Sequence, residues 1–255
     1  MNLLIRMSGV GKQYPSGSDI GMKDRLLGHR GHRPWALAPL DLEVVSGESV
    51  AILGRNGSGK STLLGVAAGT IAPTVGQVDR RVDPTLLFQV GTSFDDELSG
   101  GENARLELLL RGLRGRPLQL RLAEAREFSG IEDAWEEPIR TYSAGMRARV
   151  ALAAALADPG PLLLVDEILS VGDTAFIATC LDHFRMLRRS GTSLLFVTHQ
   201  VSLVESLADE SIVLDHGQTV ARGSVASGLA TYSAMLGVAP PAPATSQVPE
   251  GDRQA

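Results

Sequence analysis

The sequence feature that most constrains this chain is a glycine-rich segment that follows a strand-like run and opens a helix. After the run Ser49 to Leu53 the sequence reads Gly54-Arg55-Asn56-Gly57-Ser58-Gly59-Lys60-Ser61-Thr62. Its glycines let successive backbone N–H groups turn toward phosphate oxygens, and the N-terminus of the helix adds partial positive charge. Lys60 would reach the β and γ phosphates, and Ser61 would ligate Mg²⁺. The segment therefore predicts a P-loop that binds a nucleotide and Mg²⁺.

A pair of carboxylates at the end of a buried strand forms the second half of the predicted site. The apolar run Leu162 to Val165 is followed directly by Asp166 and Glu167. The carboxyl ends of parallel strands lie at the edge of a sheet where ligands bind. Asp166 would hold Mg²⁺ through water, and Glu167, which faces the other way, would polarise an attacking water. An acidic pair that only caps a loop is the structural alternative.

The remaining sequence alternates strand-like runs with helical patterns, which predicts an α/β fold with a mostly parallel sheet covered on both faces. Strands are expected at Leu42 to Val45, Ser49 to Leu53, Thr85 to Phe88, Leu162 to Val165, Ser193 to Val197 and Ser211 to Leu214. Helices are expected at Lys60 to Ala68, Glu102 to Leu113, Gln119 to Phe128, Met146 to Ala157, Phe176 to Arg189 and Val201 to Leu207. The stretch from Gly91 to Thr141 holds helical patterns without a convincing strand, so we expect a helical insertion there.

Composition and charge exclude several classes of protein. The apolar runs are much shorter than the roughly 20 residues that cross a bilayer, and the N-terminus lacks a secretory signal, so the cytoplasm is the expected compartment. A net charge of −5 and a pI near 5.6 argue against a nucleic-acid partner. The single cysteine, Cys180, fits a reducing compartment and is expected to be a packing residue.

A third motif identifies a family when it is taken with the P-loop and the Asp166-Glu167 pair. Tyr142-Ser143-Ala144-Gly145-Met146 precedes a helix that leads into the Asp166 strand. From Val10 to about Leu236 the chain resembles the ATPase subunits of ABC transporters, whose signature often reads Leu-Ser-Gly-Gly-Gln. Ser143 and Gly145 are retained, and the other three positions differ. The resemblance implies a P-loop NTPase (RecA-like) core, an N-terminal antiparallel β subdomain and an inserted helical subdomain.

The same resemblance implies roles for further residues. Gln89 matches the loop glutamine that senses Mg²⁺ and faces the permease, and His199 matches the switch histidine that contacts the γ-phosphate. Asp173 ends the segment Ser170-Val171-Gly172-Asp173, where relatives carry a loop that joins two active sites. Tyr14 matches the aromatic residue that stacks on adenine, with Trp35 as the competitor.

The resemblance also implies a homodimer that encloses two ATP molecules. Ser143, Ala144, Gly145 and Met146 of one subunit would close over the γ-phosphate bound by the P-loop of the other subunit. Glu167 and His199 would hold the attacking water, and hydrolysis would drive a separate membrane permease.

A second segment is closer in letters to the family signature. Leu98-Ser99-Gly100-Gly101-Glu102 lies far upstream of the Asp166 strand, whereas the signature helix of relatives leads straight into that strand. Ser99 and Glu102 have the spacing of a capping box, so Ser99 is expected to cap the following helix.

An insertion between Tyr14 and Trp35 indicates which branch of the family the chain resembles. The segment from Met22 to Arg33 resembles the extra N-terminal segment of ATPases that export lipid-linked polysaccharides, such as O-antigen, teichoic acid and galactan. The segments Gly91-Thr92-Ser93-Phe94 and Ser170-Val171-Gly172-Asp173 resemble the same branch. Residues 22–33 carry several Lys and Arg, so they could contact a lipid diphosphate or anionic head groups, or could form a solvated surface loop.

These observations predict the organisation of the chain. Residues 1–236 would form the ATPase domain, with the helical insertion at about 91–158 and the basic insertion at about 16–34. Residues 237–255 form a Pro-rich tail that is expected to be disordered. The subunit would lie at the cytoplasmic face of the inner membrane through its permease. The alternatives are an ATPase for a drug or small-solute exporter and a soluble ABC ATPase without a transport role.

Overall fold

The computed structural model describes residues 2–15, 34–87, 91, 93–166 and 174–238. Two sheets and a set of helices make up this part of the chain. The strands are β1 (Leu3–Lys12), β2 (Leu37–Val45), β3 (Ser49–Gly54), β4 (Val75–Arg80), β5 (Thr85–Leu86), β6 (Leu162–Asp166), β7 (Ser193–Val197), β8 (Glu210–Asp215) and β9 (Gln218–Ser224). The helices are α1 (Lys60–Ala68), α2 (Gly100–Leu110), α3 (Gly115–Ser129), α4 (Ala144–Ala157), α5 (Thr174–Arg189), α6 (Val201–Leu207) and α7 (Val225–Leu236), with 3-10 turns at Glu132–Ala134 and Ile139–Thr141.

The larger sheet has six strands in the order β5-β6-β7-β3-β8-β9. All neighbours are parallel except β8 and β9, which pair antiparallel. The smaller sheet is antiparallel, in the order β2-β1-β4. The predicted α/β fold with a mostly parallel sheet and an N-terminal antiparallel β subdomain is therefore confirmed.

The central strands are buried on both faces, which explains why they read as continuous apolar runs. One face of the larger sheet packs with α1 and the small sheet in a core that includes Leu42, Leu63 and Leu164. The other face packs with α4 to α7 in a core that includes Leu163, Phe184 and Tyr232. The sheet is thus the middle layer between the two cores.

Cys180 lies in the second of these cores with 1% of its surface exposed. Burial raises the pKa of its thiol to about 12, so the side chain stays neutral at physiological pH. This is the environment of a packing residue, as the sequence predicts.

The inserted helices α2 and α3 and one side of α4 form a separate apolar cluster that includes Leu108, Trp135 and Val150. Helix α4 belongs to two clusters, because Ala151 faces the inserted helices while Leu152 faces the main core. From Val150 to Ala157 the helix is buried on all sides. The predicted helical subdomain is confirmed, and α4 joins it to the sheet.

Some elements differ from the sequence prediction. The sequence did not predict the strands β1, β4 and β9 or the helix α7. Strands β4 and β9 are exposed on both faces and so lack an alternating pattern. The strand expected at Thr85 to Phe88 is shorter, since β5 covers Thr85–Leu86 and Phe88 lies outside the described residues. Helix α2 begins and ends earlier than expected, and Gly112, with φ of 93°, follows its end.

Among the described helices, none is both long enough and apolar enough to cross a membrane.

Arg111 ties the inserted helices to the sheet. Its guanidinium donates to the carbonyl oxygens of Ala155 (3.2 Å) and Asp158 (3.1 Å) at the end of α4, and to the Thr85 hydroxyl (3.2 Å) at the start of β5. A second nitrogen bonds the Glu107 carboxylate at 2.9 Å. The three oxygens share the two hydrogens of Nη1, while Nη2 and Nε donate to Glu107, so the planar fork of arginine serves both groups of acceptors.

We predict that Arg111→Lys lowers the free energy of unfolding by about 2 kcal/mol, because an ammonium cannot serve all these acceptors and leaves part-buried carbonyls unbonded. Urea unfolding monitored by circular dichroism measures the loss. Arg105→Lys, at an exposed position of α2, is the matched control and should unfold like the parent chain. Equal stability of the two variants would contradict the prediction.

Candidate functional site

The P-loop connects β3 to α1 by a tight turn that only glycine tolerates at its key positions. Gly59, the residue before α1, has φ of 105°, and a Cβ there would overlap the carbonyl oxygen of Ala36. A Cβ at Gly54 would overlap the carbonyl oxygen of Leu214 in β8. Because the residue before the helix is a glycine, α1 has no side-chain cap. Its first N–H groups therefore suit an anion.

Lys60 is held inside this loop. Its ammonium donates to the carbonyl oxygens of Gly54 (2.9 Å) and Arg55 (3.0 Å), and only 6% of the residue is exposed. Ser58 is buried as well, whereas Arg55 and Ser61 are exposed. Of the remaining residues of the loop, Asn56 and Gly57 are exposed and Thr62 is half-buried. The loop thus surrounds one positive charge and exposes Ser61 beside it, an arrangement that fits a polyphosphate with a divalent cation.

The register of the sheet brings Asp166 to the same edge. Asp166, the last residue of β6, pairs with Val197 of β7, and Val197 pairs with Ile52 of β3. Gly54 and the P-loop lie two residues beyond Ile52, and His199 lies two residues beyond Val197. The structure therefore gathers the P-loop, Asp166 and His199 at the carboxyl ends of three adjacent strands.

His199 is exposed, and one of its ring nitrogens is bonded to a buried residue. Nδ1 lies 2.7 Å from the hydroxyl oxygen of Tyr232 in α7. Tyr232 has 4% of its surface exposed and belongs to the main core. Tyr232 was not predicted as a site residue, since no local motif marks a residue 33 positions from its partner.

Tyr14 lies beside the P-loop helix with 46% of its surface exposed. Its hydroxyl is 3.4 Å from the Thr62 hydroxyl, and the Lys12 ammonium is 5.2 Å from the centre of its ring. The competing aromatic, Trp35, is half-buried and packs so closely on Gly11 that a Cβ there would lie 2.9 Å from the indole. The exposed ring next to the P-loop is therefore that of Tyr14.

The predicted signature segment starts helix α4. Ser143 is its N-cap and accepts a hydrogen bond from the Met146 N–H at 3.2 Å. Ser143 and Ala144 are exposed, whereas Gly145 and Met146 are half-buried. The exposed N-terminus of α4 thus presents Ser143 at the surface, on the helix that leads into β6.

The segment Leu98-Ser99-Gly100-Gly101-Glu102, called the decoy segment from here on, caps α2, as the sequence predicts. Ser99 accepts from the Glu102 N–H (3.1 Å), and the Glu102 carboxylate accepts from the Ser99 N–H (2.8 Å), which is a complete capping box. A Cβ at Gly100 would overlap the Tyr142 hydroxyl, and a Cβ at Gly101 would overlap the indole of Trp135. The small residues that resemble a signature are therefore packing residues.

The decoy segment also contacts the chain just before the predicted signature segment. Leu98 accepts a backbone hydrogen bond from Ile139 at 3.0 Å, and Asp96 accepts one from Arg140 at 3.1 Å. Asp96 bonds the guanidinium of Arg147, one turn into α4, at 2.6 Å. The two segments are thus held together just before Ser143.

Several predicted residues lie outside the described part of the chain. They are Gln89, Glu167, the segment Ser170-Val171-Gly172-Asp173 and the insertion from Met22 to Arg33.

Comparison with known proteins agrees with this site. The family described as ABC transporter matches residues 37–170. The O-antigen export system ATP-binding protein RfbB of Klebsiella pneumoniae is 37% identical over 85% of this chain and 92% of its own length. The teichoic acids export ATP-binding protein TagH of Listeria monocytogenes is 36% identical over 72% of this chain, which spans 55% of TagH. A dimeric ATP-binding cassette solved with ADP and Pi shares the fold, with a TM-score of 0.71, 23% identity, and coverage of 87% of this chain and 99% of its own.

The fold, together with the sheet edge that carries the P-loop, Asp166 and His199 (the P-loop edge), defines a nucleotide-binding ATPase. The chain belongs to the ABC transporter family, as its ATP-binding, ATP-hydrolysing subunit. The predicted resemblance to the polysaccharide-export branch is confirmed by the relatives that it matches.

We predict that Ser99→Ala and Ser143→Ala each cost about 1 kcal/mol of stability, because each removes a helix N-cap. If Ser143 belongs to the signature, only Ser143→Ala should reduce ATP hydrolysis, by about a hundredfold, because its hydroxyl would donate to the γ-phosphate. Thermal unfolding and steady-state phosphate release measure the two effects. A loss of hydrolysis in Ser99→Ala, or normal hydrolysis in Ser143→Ala, would reverse the assignment of the signature.

Proposed function

We propose that this chain binds and hydrolyses MgATP as a homodimer and thereby powers export of a lipid-linked polysaccharide through a separate permease. The observation that supports it most is the P-loop, with an enclosed Lys60 and an uncapped helix N-terminus, at the same sheet edge as Asp166 and His199. The relatives RfbB and TagH, which are ATP-binding proteins for export of O-antigen and teichoic acids, support the choice of substrate. The subunit would sit at the cytoplasmic face of the membrane, bound to its permease.

Residues of the P-loop edge would hold the nucleotide. The N–H groups at the start of α1 and the Lys60 ammonium bind phosphate oxygens, and the exposed ring of Tyr14 stacks on adenine. Ser61, Gln89 and Asp166 would hold Mg²⁺, which neutralises charge on the phosphates when it is bound.

Hydrolysis would use groups that flank the γ-phosphate. Glu167 would accept a hydrogen bond from the attacking water and orient it in line, and His199 would donate a hydrogen bond to the phosphate. Lys60 would stabilise the negative charge that develops in the transition state.

The second subunit would complete the site. Ser143 is exposed at the N-terminus of α4, and a helix N-terminus is a suitable partner for a phosphate. Ala144, Gly145 and Met146 would approach the nucleotide with it, and Asp173 would join the two sites. Two nucleotides would then be enclosed between two copies of this chain.

A groove beside the inserted helices is the proposed seat of the permease. It has a volume of about 570 Å³ and is lined by Leu86 and Gly91, on either side of residues 88–90, and by Leu110 of α2. Leu110 is 73% exposed, and Leu106, one turn earlier, is 40% exposed. A cytoplasmic segment of the permease would bury these apolar side chains.

We propose two further assignments for parts of the chain. The basic insertion at 22–33 would contact a lipid diphosphate or head groups, and 1–236 would form the ATPase domain before a tail at 237–255. An ATPase for a drug or small-solute exporter is the second candidate, since it would have the same nucleotide site.

We predict that Glu167→Gln binds ATP, accumulates as an ATP-stable dimer and loses turnover by at least about a hundredfold, because the amide cannot accept the proton of the attacking water. Size-exclusion chromatography with MgATP and phosphate release measure both properties. Glu205→Gln, at an exposed position of α6, should behave like the parent chain. Normal turnover in Glu167→Gln would remove the residue from catalysis.

We predict that tagged Glu167→Gln, purified from its own membranes with MgATP, recovers a polytopic permease together with a glycosylated polyprenyl diphosphate. Adding Leu110→Glu should abolish recovery of the permease without changing the ATP-stable dimer, because it places a charge in the groove. Adding Glu205→Gln instead is the matched control.

The outcomes separate the candidates. A permease without glycan would favour a drug or small-solute exporter, and ribosomes, DNA or no membrane partner would contradict the transport role. Recovery of the permease despite Leu110→Glu would contradict only the proposal that the permease binds in the groove.

A further inference from the structure

The buried partner of His199 suggests how that histidine is prepared for its ligand. His199 lies in the short connection between β7 and α6, where the Gln200 N–H donates to the Thr198 hydroxyl at 3.1 Å. The imidazole itself is exposed, so packing alone does not fix its ring. Its Nδ1 lies 2.7 Å from the Tyr232 hydroxyl oxygen, and the two rings are tilted by 31° with centroids 6.3 Å apart.

Tyr232 is held by the way α7 packs on the sheet. Gly228, one turn earlier on the same face of α7, lies so close to β8 that a Cβ would overlap the Ser211 hydroxyl. The Ser211 hydroxyl donates to the carbonyl oxygen of Ser224, the N-cap of α7, at 3.2 Å. Leu229 and Tyr232 are both buried in the main core. The phenol therefore offers a rigid hydroxyl to a solvent-exposed ring.

The chemistry of the ring then determines which nitrogen carries the proton. A neutral imidazole has one N–H donor and one acceptor nitrogen. Because Nδ1 lies against the Tyr232 hydroxyl, a phosphate would meet His199 at Nε2, and phosphate oxygens accept hydrogen bonds. Nε2 carries the hydrogen only if Tyr232 donates to Nδ1.

We propose that Tyr232 is a positioning residue that donates to Nδ1 of His199, holding the Nε2–H form and the ring orientation needed to bond the γ-phosphate. This inference rests on the proposed role of His199 in hydrolysis. It gives α7, which lies outside the nucleotide motifs, a direct effect on the catalytic step. Since Tyr232 acts through His199, its loss should change turnover and leave ATP binding unchanged.

The kinetic test compares variants of the full chain. Tyr232→Phe removes the hydroxyl and keeps the ring, so we expect kcat to fall about tenfold and KM for ATP to stay within about twofold of the parent value. Thr231→Ala is the matched control, because the Thr231 hydroxyl bonds the carbonyl of Ser227 within α7, at 3.0 Å, and its loss should not change kcat. An unchanged kcat in Tyr232→Phe would overturn the inference.

His199→Ala distinguishes this inference from the proposed role of His199. If His199→Ala hydrolyses ATP normally, the role of His199 fails, and the inference fails with it. If His199→Ala is inactive while Tyr232→Phe has the parent kcat, only the positioning inference fails.

Nitrogen-15 NMR of the histidine rings gives a second test that does not depend on a folded Tyr232 variant. His199→Ala assigns the His199 signals among the five histidines. At a pH where the ring is neutral, we expect an unprotonated Nδ1 and a protonated Nε2 in the parent chain. In Tyr232→Phe the two signals should move toward those of a mixture of tautomers. A protonated Nδ1, or a mixture, in the parent chain would contradict the proposal.

Discussion

The candidate site depends on the parallel pairing of β6, β7 and β3. Their carboxyl ends lie at one edge of the sheet, so the P-loop after β3, Asp166 at the end of β6 and His199 after β7 meet there. All three strands are buried on both faces. A one-residue slip of any strand would exchange the side chains that pack in the two cores on either face of the sheet, and packing on both faces therefore specifies the register.

Helix α4 connects this edge to the inserted helices. Its N-terminus carries Ser143, its middle is buried between two apolar clusters, and its last carbonyls bond Arg111 of the connection after α2. The same Arg111 lines the groove proposed for the permease. A displacement of α2 by a bound permease would therefore act directly on the helix that presents Ser143. This is a physical connection through contacts, and it requires no long chain of intermediates.

The orientation of the His199 ring depends on α7, which packs in the main core. Tyr232 reaches His199 from α7, which is held to β8 by the close approach of Gly228 and by the bond from Ser211 to Ser224. A catalytic side chain on a short exposed connection gains a fixed orientation when a buried residue bonds it. The nucleotide motifs of the sequence contain only one half of this pair.

The sequence alone determined the parts of the protein that local patterns encode. The P-loop, the apolar strand before Asp166, the capping box at Ser99 and the alternation of strands and helices follow from spacing and residue type within short windows. The resemblance added the antiparallel subdomain, although β1, β4 and β9 were not identified as strands. The edge strands β4 and β9 are exposed on both faces and give no alternating pattern. Only the tertiary structure decided which distant residues meet: Tyr232 with His199, Arg111 with the end of α4, and the decoy segment with the signature. These contacts join positions far apart in sequence through shape and hydrogen bonding, so no local pattern contains them.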